Sequence, residues 1–130
     1  MNILVGYDGS NPARDALKLA KHRAKASAAR VDVVTSMKGA KNSQHDDLQQ
    51  AELSLEYAKA LLEEDNIACE THLLVRGLSP GEDLVQFAED NQADEIIVGV
   101  KKRLKISKLL LGSTAQQVIL HAHCPVITVK

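Results

Sequence analysis

Short apolar runs alternate along this chain with longer stretches in which apolar residues recur every three or four positions. Ile3, Leu4 and Val5 predict a first strand. Ala13, Ala16, Leu17, Ala20 and Ala24 then keep helical spacing, with Ser10 as the cap and Pro12 in the first turn. Val31 to Met37 reads as a second strand, followed by KGAKNSQHDD, the longest candidate loop. Leu48, Ala51, Leu55, Ala58 and Leu62 return to helical spacing, and Ala68 to Val75 makes a third strand, polar enough for a sheet edge. Ser79-Pro80-Gly81-Glu82 has the form of a capping box with proline at the first helical position; Leu84, Val85 and Ala88 continue that helix until Asn91. A fourth strand, Ile96 to Val98, ends at Gly99. The last helix opens at Gly112-Ser113 with Ala115, Val118, Ile119 and Ala122 on one face, and Val126 to Val129 is the final strand. Strands that are apolar without alternation belong to parallel sheets covered on both sides, and strands separated by helices build βα units. The pattern therefore predicts an α/β protein with five strands and four helices. With no repeat and no low-complexity linker, residues 1–130 form a single domain.

Composition narrows the function without naming it. At 130 residues and 45% hydrophobic, the chain has a core for one compact domain. A formal charge of -1 and three aromatics (Tyr7, Tyr57 and Phe87) argue against a nucleic-acid binder, since there is neither a global positive field nor a stacking platform. No apolar run reaches membrane-spanning length and MNILVGYDGS lacks the form of a signal peptide, so the expected location is the cytoplasm. Cys69 and Cys124 fit no metal or redox spacing and read as core fillers.

In an open parallel sheet, ligands bind at the carboxyl ends of the strands, so the residues just past each strand carry the chemistry. After the first strand, Asp8 in GYDGS can hold a ribose hydroxyl or, through water, a metal on a phosphate; it can equally serve only the turn. After the second, the backbone at Ser36 can meet a base edge. After the fourth, Lys101, Lys102, Arg103, Lys105 and Lys108 lead to Gly112, where Ser113 and Thr114 offer hydroxyls and N–H groups at a helix start. Unpaired N–H groups and the positive end of the helix dipole attract phosphate there. The basicity is local, in a nearly neutral chain. Catalysis has less behind it. The histidines His22, His45, His72, His121 and His123 are scattered with no triad spacing, and neither a P-loop nor GxGxxG after the first strand is present. No residue reads as catalytic and none as a transition-metal ligand set. A receiver domain of the two-component type does not fit, because Asp8 lacks an acidic neighbour and the third strand ends at Val75-Arg76 instead of at an aspartate.

Three segments, GYDGSNPARDALKLA, RGLSPGEDLVQFAEDNQADEIIVG and LLLGSTAQQVILHAHCPVITVK, resemble the universal stress protein family, and the similarity extends over essentially the whole chain. The resemblance implies a five-stranded open parallel sheet of order 3-2-1-4-5 with helices on both faces. It also implies dimerisation; Val126 to Val129, apolar on both faces and at the edge of a sheet of that order, needs a strand partner and is the expected contact. One branch of the family binds ATP or AMP, with or without magnesium, through glycine, two residues, glycine, nine residues, then glycine followed by serine or threonine. Gly99, Gly112 and Ser113 match that pattern, whereas Lys102 stands at the middle glycine. By the resemblance, Asp8 contacts the ribose, the Ser36 backbone the adenine, and Gly99, Lys102, Gly112, Ser113 and Thr114 the phosphates. Lysine at 102 restricts the loop but adds a cation that reaches the same oxygens. The expected function is a nucleotide-responsive stress or signalling module that docks a protein partner. The alternatives are an interaction module that has lost its nucleotide, and a slow ATPase, since phosphoryl transfer needs mostly positioning and charge.

Overall fold

The computed structural model describes residues 1–39, 45–100 and 111–130. Five parallel strands, β1 (Asn2–Gly6), β2 (Arg30–Ser36), β3 (Cys69–Leu74), β4 (Glu95–Gly99) and β5 (Val126–Val129), form one sheet in the order β3-β2-β1-β4-β5. The helices are α1 (Asn11–Ser27), α2 (His45–Glu63), α3 (Pro80–Asp90) and α4 (Ser113–His121). The expected order 3-2-1-4-5 is the observed one. Strand ends differ from the sequence reading by a residue or so, and α2 begins at His45 instead of near Leu48, with Asp46 and Asp47 in its first turn, where carboxylates answer the positive end of the dipole. The candidate loop from 38 to 47 lies partly outside the described residues.

Side chains alternate across the sheet and divide the core in two. Ile3, Val5, Val31, Val33 and Ile97 face α1 and α2, packing on Ala16, Leu17, Ala20, Leu55, Ala58 and Leu62. Leu4, Val34, Ile96 and Val98 face the other way onto Leu84, Phe87 and Ala88 of α3 and Val118 of α4. Alanine along α1 lets the helix axis come close to the sheet, and fully buried Leu17 in the same row contributes about 1.5–3 kcal/mol of apolar burial. Two apolar expectations for α4 part company. Val118 is buried, but Ile119 and Leu120 are exposed, because only one narrow face of this nine-residue helix meets α3 and the sheet. β5 is partly covered: Ile127 and Val129 pack toward the α1 side and Val126 toward the α3 side, whereas Thr128 is exposed. Its outer edge carries no further strand among the described residues.

Candidate functional site

The chain runs from β1 outward to β2 and β3, then returns to the other side of β1 for β4 and β5. The reversal opens a crevice beyond the carboxyl ends of β1 and β4. A cavity of about 420 Å³ lies there. Asp8, Ser36, Gly99, Gly112, Ser113 and Thr114 all line it, so residues from four separate stretches of sequence meet at one place. Lys102 falls in 101–110, outside the described residues. Tyr7, Val34, Pro80, Leu84, Val98 and Val100 line it as well; in the sequence they read as strand, cap or helix positions and not as site residues.

Three helices start beside the cavity, and their first turns differ. At α1, the Ser10 hydroxyl accepts from the Ala13 N–H at 3.3 Å; at α3, the Ser79 hydroxyl accepts from the Glu82 N–H at 3.4 Å and donates to the Glu82 carboxylate at 2.6 Å. Both starts are closed by their own side chains. Gly112 caps α4 with an extended backbone and brings no side chain to it. The first bond of that helix is Gln116 N–H to the Gly112 carbonyl at 3.0 Å, which leaves the N–H groups of Ser113, Thr114 and Ala115 directed out of the helix at the cavity wall.

The turn after β1 uses Asp8 for its own geometry. Its Oδ1 accepts from the Ser10 N–H at 2.9 Å, fixing a turn whose Gly9 has φ +80°, and the residue remains exposed at the cavity. Gly99 does something that its spacing does not reveal. A Cβ there would lie 2.3 Å from the Pro12 carbonyl carbon, so the missing side chain is what seats the start of α1 against β4. Around Gly112 no atom of the described residues comes within 4 Å of the same construction. Gly81 joins the two helices of the second face: its Cβ would meet the Gln117 Cβ at 2.6 Å and the Thr114 Cα at 3.3 Å.

At the β2 end the wall is apolar, from Val34, Pro80 and Leu84, with one polar side chain in it, Ser36, among the described residues. The Ser36 hydroxyl donates to Asp83 Oδ2 at 2.7 Å, while Arg76 Nε donates to Asp83 Oδ1 at 2.7 Å and its Nη2 reaches the same oxygen. Asp83 is fully buried. In sequence it reads as one more acidic residue in a helix's first turn, and only the fold brings it between the ends of β2 and β3. The neighbouring Thr35 hydroxyl donates to the Tyr7 carbonyl at 2.7 Å and locks β1 to β2 just below the cavity. Burial pushes the Tyr7 phenol up, with nearby Arg14 pulling the other way.

A second polar cluster stands away from the cavity on β2 and β3. His72 Nε2 lies 3.0 Å from Asp32 Oδ1 and 3.9 Å from Glu70 Oε2, and Arg30 Nη2 reaches Asp32 at 3.4 Å and Glu70 at 3.0 Å. Asp32, Glu70 and His72 could span a metal ion, but the guanidinium already balances both carboxylates. Both thiols are pushed up, chiefly by burial, which keeps Cys69 and Cys124 in their protonated, unreactive form. Among the described residues, no helix is long and apolar enough to cross a membrane.

An open five-stranded sheet of this order, with a crevice beyond the ends of β1 and β4 and a helix start beside it that has no side-chain cap among the described residues, defines a doubly wound α/β protein. The family model for the universal stress protein family matches residues 1–130, and the chain belongs to that family. It is 33% identical to a universal stress protein of Thermus aquaticus over 134 residues, covering 98% of this chain and 97% of the relative. A universal stress protein of Methanocaldococcus jannaschii is 37% identical over 82 residues, 63% of this chain; the match spans about half, 47%, of that longer protein. Among solved structures, the universal stress protein from Archaeoglobus fulgidus in complex with dAMP superposes with a TM-score of 0.84 at 34% identity, covering 100% of this chain and 98% of that one.

Proposed function

We propose that the cavity binds an adenine nucleotide, ATP or AMP, and that the protein is a nucleotide-responsive stress or signalling module. The observation that carries this reading is the start of α4. Of the three helix starts around the cavity, it is the one whose N–H groups meet no side-chain cap among the described residues, and it faces the ends of β1 and β2 across the crevice. Phosphate belongs at that start, ribose near Asp8, and the base in the apolar slot of Val34, Pro80 and Leu84 beside Ser36. The Archaeoglobus relative, described with dAMP, supports the same ligand class. The cluster from Lys101 to Lys108 adds the charge that a triphosphate, with or without magnesium, would use. A homodimer through the outer edge of β5 accompanies this reading. Among the described residues that edge pairs with no further strand, and Ile119 and Leu120 are exposed on α4, which packs against β5.

One observation favours a second reading. Lys102 stands where the family's nucleotide motif has glycine, and an interaction module that has lost its nucleotide would tolerate such a change. Calorimetric titration with AMP and ATP, with and without magnesium, separates the two. Binding to the native state alone stabilises it by about 2.7 kcal/mol at a hundredfold excess over Kd, which a thermal melt detects. Neither heat nor a melting shift at millimolar nucleotide would replace the first reading by the second. Tighter binding by Lys102→Gly than by the natural chain would show that the lysine obstructs the phosphates; weaker binding by Lys102→Ala, with the deficit shrinking at high salt, would show that it attracts them. Sedimentation of the same samples reports the dimer.

A further inference from the structure

We propose that the side chain of Ser36, oriented by Asp83, selects a 6-amino purine over a 6-oxo purine; this rests on the adenine-nucleotide reading above and assigns a specificity residue within it. A hydroxyl has one hydrogen to give and lone pairs to accept with. Ser36 gives its hydrogen to Asp83 Oδ2 at 2.7 Å. Asp83 cannot turn away, because its other oxygen is held by two donors of Arg76 and the whole side chain is buried from water. What Ser36 shows to the cavity it lines is therefore an acceptor and never a donor. The adjacent hydroxyl, Thr35, is committed to the Tyr7 carbonyl at 2.7 Å and cannot substitute.

This acceptor sits at the end of the cavity formed by β2 and α3, across β1 from the phosphate seat on α4, in a wall otherwise made of Val34, Pro80 and Leu84. A base lodged there brings its 6-position to Ser36, the one polar side chain of that wall among the described residues. The amino group of adenine donates to Ser36. The oxo group of hypoxanthine or guanine presents lone pairs to lone pairs and loses its water without replacement, which is the asymmetry that makes hydrogen-bonding sites selective.

The carboxylate sets the direction of the hydroxyl, so exchanging it for an amide should reverse the choice. In Asp83→Asn the donors of Arg76 keep the amide oxygen on their side, which turns the amide NH₂ toward Ser36. Ser36 then accepts from that NH₂, and its own hydrogen swings to the cavity as a donor. A purely structural role for Asp83 would weaken all purines alike.

The experiment is calorimetric titration of AMP and IMP, which differ at the 6-position and the adjoining ring proton, into the full chain, Ser36→Ala and Asp83→Asn. The expected result is an AMP preference of about tenfold or more in the natural chain, corresponding to one hydrogen bond gained against one mismatched. Ser36→Ala brings the two ligands within about threefold, and Asp83→Asn favours IMP. If Asp83→Asn fails to fold because Arg76 is left without its counter-charge, Ser36→Ala decides alone. An AMP to IMP ratio that Ser36→Ala leaves unchanged, or one near unity in the natural chain, overturns the proposal while the nucleotide reading stands. No binding of either ligand overturns both.

Discussion

Gly99 and Gly112 face the same cavity, match the same motif, and use the absence of a side chain in opposite ways. At Gly99 the missing Cβ is replaced by the protein itself, since the backbone of Pro12 and Ala13 comes within 2.3–2.7 Å of where it would stand. At Gly112 that space is empty of described protein atoms to 4 Å, and the helix start behind it has no side-chain cap. One glycine closes α1 onto β4; the other puts no side chain over the start of α4. The same comparison extends to the caps. Ser10 and Ser79 satisfy their own helices, and a phosphate arriving at either would have to displace a hydroxyl. A glycine spacing thus identifies the place but not the job, which depends on what stands opposite each residue.

The largest effect should come from Gly99→Ala. Because the obstructing atoms are main chain, α1 must shift, and the loss of stability should be about 3 kcal/mol, read from a lowered urea midpoint at unchanged slope. A smaller loss would mean that the junction is soft and the contrast with Gly112 overstated. Next is Gly112→Asp. It has room and an ordinary φ of -67°, and its carboxylate supplies the missing cap, so stability should hold or rise by about 0.5 kcal/mol. AMP affinity should fall about a hundredfold, roughly 2.7 kcal/mol, as the carboxylate takes the phosphate's place. Retained affinity in a folded Gly112→Asp would remove α4 as the seat. The smallest is Ser79→Ala, which should cost about 1 kcal/mol in thermal stability yet leave AMP titrations unchanged, because Ser79 closes a helix and stands outside the cavity lining.

The fold was legible because its signals are local and repeated. Continuous apolar runs such as Ile96 to Val98, helical spacing such as Ala13 to Ala24, and serine-proline helix starts each specify an element without help from distant residues. The strand order came from the family resemblance. In the site, Asp8, Ser36, Gly112 and Ser113 were legible as residues following strands or opening a helix. Asp83 was not, because its meaning is a contact with Ser36, 47 positions away. Nor was the packing duty of Gly99, which depends on how closely α1 approaches. The exposure of Ile119 follows from the narrow contact face of α4, and helical spacing alone does not measure how wide a face is covered.

Gly81 carries a last implication, for how the protein tolerates change. With its hydrogen facing the Gln117 Cβ and the Thr114 Cα, the first turns of α3 and α4 already lie as near to each other as main chains permit. The gap between Pro80 and Thr114, both in the cavity wall, is thereby held by the close approach of Gly81 to the Gln117 side chain and the Thr114 backbone. Substitutions on the two helices away from Gly81, Thr114 and Gln117 can repaint the crevice without resizing it, whereas a side chain at Gly81 changes its gauge at once.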